Sequence, residues 1–263
     1  MVKHIAERVI VELEAEADPQ STAGEPLRWL MHGGPGTGKS HVIKQVKELF
    51  TQVLHWDMSV QFQIVAFQAV MADLLGGDTI HHACGIPVYN SGDPSELQAQ
   101  KQMDVAKRVL EWRWLIIDEI SMVGAGQFEM ISRRLEQVAK VLWQEQKKGR
   151  QPQAAVPESF GGFGGIGVLL MGDFAQLPPI KATSLLRGSR LEEGLRSGLR
   201  HRAIQGRLQF EQFMKQVIRL RRIHRQKGAD EYKESTMRLR DAAITAEDHA
   251  LWQQHELSST ESA

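Results

Sequence analysis

Four short apolar runs punctuate the chain, at residues 27–31, 62–67, 115–117 and 168–171, and each is followed at once by a glycine-rich or acidic polar cluster. Apolar runs of this length, bounded by polar turns, predict buried strands. Between them apolar positions recur at helical spacing, as in residues 40–54 after the first run and 127–143 after the third. Strands alternating with helices predict an α/β domain, a mostly parallel sheet with helices on both faces. In such a sheet ligands bind beyond the carboxyl ends of the strands, which is where all four polar clusters fall.

The alternation lapses twice. From 144 to 167 the composition turns to Gln, Lys, Pro and Gly, which predicts a flexible loop between the third and fourth strands. Its glycines at 161–165 are followed by no Lys-Ser/Thr pair, so a linker is favoured over a phosphate cradle. From 181 to 227 thirteen Lys/Arg face only Glu192, Glu193 and Glu211. The chain totals 32 Lys+Arg against 32 Asp+Glu over 263 residues, so this basic segment is invisible in the net charge. It reads either as a nucleic-acid-binding face or as a solvated helix surface. Residues 241–263 predict one more helix and a polar tail.

Composition then removes several classes. Hydrophobic residues at 42% and charged residues at 24% supply a core and exclude disorder throughout. One cysteine, Cys84, excludes an internal disulfide framework and a Cys-rich zinc module and suits a reducing compartment. His81, His82 and Cys84 lack a second ligand pair for zinc. Trp112 and Trp114 flank the third run and are expected to pack against the sheet rather than stack on bases. No apolar run approaches the roughly 18 residues of a membrane span, and the start of the chain is unlike a signal sequence. The expectation is a soluble intracellular protein without membrane contact.

The chemistry lies in the polar clusters. Gly33-Gly34-Pro35-Gly36-Thr37-Gly38-Lys39-Ser40 carries the Walker A spacing between a strand and a helix. Glycines permit the φ-positive turn that aims successive N–H groups at phosphate oxygens, and the following helix points its positive end at them. Lys39 then neutralises β/γ charge and the Ser40 hydroxyl ligates Mg²⁺. Asp118-Glu119 follows the apolar 114–117 as a Walker B strand does. Asp118 is expected to hold Mg²⁺ and Glu119 to polarise the attacking water, the pattern of a nucleotide hydrolase. The cluster at 172–179 places Gln176 where its amide reaches a γ-phosphate, with a plain turn as the alternative.

Taken together, the Walker A string, Asp118-Glu119-Ile120-Ser121-Met122 and Gly172-Asp173-Phe174-Ala175-Gln176-Leu177-Pro178-Pro179 resemble the Pif (petite-integration-frequency) family of superfamily-one DNA helicases, related to RecD. The similarity extends over residues 27–240. The resemblance implies an ATP-driven, Mg²⁺-dependent motor moving 5′-to-3′ on single-stranded DNA and separating duplexes at junctions. It implies work in replication, repair, recombination or telomere maintenance, in the nucleus or mitochondrion. It implies a P-loop RecA-like ATP-binding domain over 1–180 and the start of a second, basic RecA-like domain over 181–263. Residues 76–81 resemble the family's strand-binding segment, giving Thr79 and His81 as DNA contacts, and residues 220–226 resemble its fourth motif, making Arg225 an arginine finger. Where the family usually has Ala-Pro-Thr-Gly, this chain has Ala66-Phe67-Gln68-Ala69, so Gln68 takes the place of the usual threonine donor. No counterpart of the motifs completing the second domain is found, and Gln20 is a poor match to the adenine-reading glutamine. The alternatives are a truncated ATP- and single-strand-binding module and a RecD-like subunit working inside a complex.

Overall fold

The computed structural model describes residues 1–18, 24–86, 99–147, 162–186, 196–224 and 230–253. Six strands form one parallel sheet: β1 (Arg28–Gly33), β2 (Phe62–Ala66), β3 (Asp78–Thr79), β4 (Trp114–Asp118), β5 (Gly167–Gly172) and β6 (Val217–Leu220), in the order β3-β2-β4-β5-β1-β6. The four apolar runs are β1, β2, β4 and β5. β2, β4 and β5 are buried at every position, as strands covered on both faces must be.

Alternate residues divide between two cores. Leu115 and Ile117 of β4 face one, with Val65, Val168 and Leu170. Trp114 and Ile116 face the other, with Ile64, Leu169 and Met171. Ile5 and Val9 of α1 (Val2–Ala17) and Ile43 and Val46 of α2 (Lys39–Glu48) close the second core. The first is closed by the short α4 (Ile80–Cys84), α5 (Ala99–Val109), α6 (Ala125–Lys147) and α7 (Ser197–Met214). A further short helix, α3 (Ala69–Leu74), follows β2. The α/β sheet with helices on both faces is therefore present as the periodicity predicts. Trp112 and Trp114 are both buried, the latter completely.

Three local expectations are corrected. The loop expected at 144–167 is shorter: α6 runs on to Lys147 and β5 begins at Gly167, while 148–161 lie outside the described residues. Its glycine-rich end is a core element and no linker. Phe163, 1% exposed, stacks edge-on with Phe128 at 5.0 Å and with Phe213 at 5.8 Å. Its φ of 58° lies in the left-handed region, and so does that of Gly164 at 64°. Thirdly, the chain beyond 180 does not leave the first sheet at once. α7 lies along α6 so closely that a Cβ on Gly206 would stand 1.9 Å from the Ala125 carbonyl oxygen. β6 then pairs with β1 from Leu30↔Val217 to Gly33↔Leu220. The sheet thus continues to Leu220, because the apolar face of α7, with Ala203, Phe210 and Phe213, completes the core over α6.

After β6, α8 (Asp230–Arg240) and α9 (Ala246–Gln253) form a helical hairpin. The Arg238 guanidinium holds the Asp248 carboxylate at 2.6 to 3.2 Å, and Trp252 Nε1 donates to Ser235 Oγ at 3.1 Å. Among the described residues no helix is long and apolar enough to cross a membrane.

Candidate nucleotide site

Adjacency in the sheet assembles the site. β4, β5 and β1 are consecutive neighbours, about 4.8 Å apart, and their carboxyl ends carry Asp118-Glu119, Asp173 to Gln176 and the glycine loop respectively.

The loop between β1 and α2 has the turn its glycines predict. Gly36 (φ 72°) and Gly38 (φ 98°) are in the left-handed region, and Gly38 is the residue before the first helical turn. Gly33 is required for close packing instead: a Cβ there would lie 2.6 Å from Thr37 Oγ1 and 2.9 Å from Leu220 Cβ. Thr37 Oγ1 donates to the Gly34 carbonyl at 2.8 Å. Lys39 Nζ donates to the carbonyls of Gly33 (2.7 Å) and Gly34 (3.3 Å), so its ammonium is held at the mouth of the loop by acceptors a phosphate can replace. Gly34 is buried, while Pro35 and Ser40 are exposed at the rim.

Across the groove, Asp118 ends β4 at 2% exposure, and its Oδ1 accepts the Glu119 N–H at 2.9 Å. Burial pushes the Asp118 carboxyl up, opposed by that N–H and by Lys39. Glu119 is raised by its own burial, then by the charges of Asp118 and Asp173, with Lys39 opposing. Its backbone is strained, with φ 52° and ψ 44° in a non-glycine residue. Such conformations cost about 1–3 kcal/mol and concentrate at functional sites. A raised carboxyl beside a phosphate loop suits a group that must accept a proton from water.

Asp173, wholly buried, anchors the third cluster. Its Oδ1 accepts the Ala175 N–H at 3.1 Å and its carbonyl accepts the Gln176 N–H at 2.9 Å, so it sets the turn that presents Gln176. Arg240 Nη2 donates to Oδ1 at 2.7 Å. Burial would raise this carboxyl, but the hydrogen bonds from Arg240 and Ala175 and the charge of Arg240 outweigh it and hold it below the usual range. His32 Nε2 accepts the Phe174 N–H at 3.2 Å, which requires that nitrogen to be unprotonated. Burial holds its basicity down accordingly. Pro35, Asp173, Gln176, Ile223, Met237 and Arg240 enclose a cavity of about 460 Å³ beside the loop.

The donor set available to a metal consists of hard oxygens, the exposed Ser40 hydroxyl and the Asp118 carboxylate. Among the described residues no group of three or more His, Cys, Asp and Glu side chains gathers into a protein-only cage. One hydroxyl and one carboxylate fit Mg²⁺, which keeps several waters and takes its remaining ligands from phosphate oxygens.

The residues expected to meet DNA stand apart, at the ends of β2 and β3, where Ala66 is in register with Thr79. Gln68 is exposed. Thr79 Oγ1 caps α4, accepting the His82 N–H at 3.2 Å. His81 is half-buried, its ring edge-on to Phe67 at 5.3 Å and its Nε2 3.4 Å from Gln127 Nε2. Neighbouring Cys84 is fully buried, and burial pushes its thiol up to about 12. Arg225 lies outside the described residues, although His224 just before it donates its N–H to the Gly36 carbonyl at 2.8 Å. The sequence reading missed three site residues. Asp173 stood inside a quoted string, whereas nothing in the spacing around His32 or Arg240 marks them, because their roles arise from tertiary approach.

The "ATP-dependent DNA helicase Pif1" of Bdellovibrio bacteriovorus is 35% identical over 177 residues, covering 65% of this chain and 34% of the relative. The Saccharomyces cerevisiae "ATP-dependent DNA helicase RRM3" is 34% identical over 152 residues, 56% of this chain and 18% of that protein. The chain therefore spans about a third or less of the length of these curated relatives. In structure it is similar to a Pif1 helicase from Bacteroides in complex with ADP-AlF3 and ssDNA, at a TM-score of 0.53 and 22% identity, over 84% of this chain and 44% of that one. That likeness shows the fold, a RecA-like sheet. Residues 19–250 match the PIF1-like helicase family, and to that family the chain belongs.

Proposed function

We propose that this chain is the ATP-hydrolysing part of a DNA helicase, coupling ATP turnover to movement 5′-to-3′ along single-stranded DNA and to duplex separation at junctions. The observation that carries the reading is the convergence of the Gly33–Ser40 loop, Asp118-Glu119 and Gln176 on three neighbouring strand ends. Backbone N–H groups of Gly36 to Ser40 and the Lys39 ammonium take the phosphates. Ser40 and Asp118 hold Mg²⁺, which when bound screens β- and γ-phosphate charge. Glu119 accepts a proton from the attacking water, and the Gln176 amide contacts the γ-phosphate. Arg225 supplies the finger that stabilises charge developing in the transition state. Gln68, Thr79 and His81 meet the DNA strand, and a second RecA-like domain begins after Leu220, with the basic residues 221–227 at its start. The similar Bacteroides helicase was solved with a nucleotide analogue and single-stranded DNA, which supports both ligands for this chain. Relatives named as ATP-dependent DNA helicases support a role in genome maintenance.

The test is ATP hydrolysis with and without single-stranded DNA, alongside separation of a forked duplex, for the chain and its Lys39→Ala variant. Turnover stimulated by DNA and lost in Lys39→Ala is expected. Turnover that survives Lys39→Ala overturns the nucleotide site, and hydrolysis without strand separation reduces the chain to a binding module.

A further inference from the structure

From the α8–α9 hairpin the Arg240 side chain reaches the sheet. Arg240, the last residue of α8, sets Nη2 2.7 Å and Nε 3.3 Å from the Asp173 carboxylate oxygens. Its Cδ and Nε also come within 3.7 Å of the point where a Cβ on Gly34 would lie, so the side chain rests on the phosphate loop itself. The partners differ in burial: Asp173 is 0% exposed and Arg240 18%. Asp173 also sets the turn that carries Gln176, through the N–H groups of Ala175 and Gln176, and its charge reaches Glu119. A wholly buried carboxylate therefore stands within electrostatic reach of the group assigned to the attacking water, compensated by a cation from a remote hairpin. An unpaired buried charge is costly, and a negative one here repels a triphosphate.

We propose that Arg240 is a positioning residue of the nucleotide site, screening Asp173 from the terminal phosphate and fixing the 173–176 turn, so that the loop grips ATP fully only while the α8–α9 hairpin is docked. The proposal rests on the nucleotide reading above and deepens it. It makes the hairpin a sensor of the terminal phosphate, since ADP lacks the charge that an unscreened Asp173 would oppose.

The test titrates the fluorescent analogues mant-ATP and mant-ADP into the wild-type chain and into Lys39→Ala, Arg240→Gln, Arg240→Lys, Asp173→Asn and the Asp173→Asn/Arg240→Gln double variant, each checked for its helical circular-dichroism signal. Arg240→Gln is expected to weaken mant-ATP binding about tenfold and mant-ADP less than threefold, the order expected for one uncompensated charge at partly screened range. Arg240→Lys, which keeps the charge, recovers part of the loss. In the Asp173→Asn background, Arg240→Gln should cost less than twofold. An equal loss in both backgrounds, or equal losses for the two nucleotides, overturns the proposal by reducing Arg240 to packing. Unchanged mant-ATP binding in Arg240→Gln overturns it too. Should Arg240→Gln lose its helical signal, Arg240→Lys carries the same comparison, with a smaller loss confined to mant-ATP expected and an equal loss for both nucleotides refuting. If wild-type binding does not depend on Lys39, the nucleotide reading fails first; if it does and the Arg240 variants match wild type, this inference alone fails.

Discussion

Gly206→Ala sets two effects of opposite sign against each other on α7. Alanine favours a helix interior over glycine by about 1 kcal/mol, so propensity alone predicts a stabilised variant. The added Cβ, however, would stand 1.9 Å from the Ala125 carbonyl oxygen and 2.7 Å from its carbon, where real Cβ contacts are essentially never under 3.0 Å. The obstruction is backbone of α6, which no rotamer change can clear, so α7 must retreat by at least 1.1 Å. Retreat loosens Phe210 and Phe213 from Phe128 and Phe163, a ring cluster with centroids 5.0 to 6.3 Å apart. Overpacking costs about 1–3 kcal/mol; a backbone clash belongs at the upper end, leaving a net loss of about 2 kcal/mol. For a chain of this size that lowers Tm by roughly 4–8 °C. Thermal unfolding followed by circular dichroism measures it. Gly198→Ala in the same helix is the control, since nothing lies within 4 Å of its Cβ position; its Tm should hold or rise slightly. A Gly206→Ala variant as stable as Gly198→Ala would refute the close packing of α7 on α6 and with it the assignment of residues 197–220 to the first sheet.

Glu119→Gln should lower ATP turnover about 10²- to 10⁴-fold, as loss of a general base does, while nucleotide binding survives and Tm at pH 7 rises slightly because a carboxyl raised by burial and by Asp118 is neutralised; unchanged turnover would remove Glu119 from the chemistry. Phe163→Ala should cost about 3–5 kcal/mol, as for other buried aromatic truncations, read from urea unfolding, whereas a linker phenylalanine would cost almost nothing. Because the folded Asp173 carboxyl titrates below its usual 3.8, its pairing stabilises the fold fully above about pH 4 and loses that contribution as pH falls further. The stability gap between wild type and Arg240→Gln should therefore be largest near neutral pH and narrow as pH falls and Asp173 is protonated in both; a gap that widens on acidification contradicts the pairing. Single-strand binding should weaken with salt with a log–log slope near −2 if the exposed Arg219, Arg221 and Arg222 each neutralise a phosphate, at about −0.7 per contact; a flat dependence would make them a solvated face.

How much was readable in advance divides along the range of the interactions. The four central strands and the glycine loop follow from local pattern, since burial on both faces writes an uninterrupted apolar run and the φ-positive turn demands glycine. β3 and β6 escaped because Asp78-Thr79 and Val217 to Leu220 carry no such run; their pairing is set by neighbours and not by their own residues. Phe163 was hidden for a related reason: four flanking glycines read as a linker, yet a single ring, placed by a left-handed turn, makes the segment part of the core. The arginine–aspartate pair spans 67 positions of sequence, and no spacing rule reaches so far.

The lengthwise alliance of β6 with β1 has a mechanical consequence. Tension drawn along the chain beyond Leu220 must load four successive rungs together, because parallel neighbours pulled end to end share shear rather than unzip. The first things to move under such a load are Leu220, seated on Gly33, and the backbone of His224, hooked to Gly36. Whatever is attached downstream thus has a stiff tether whose anchorage is the very turn assigned to the fuel.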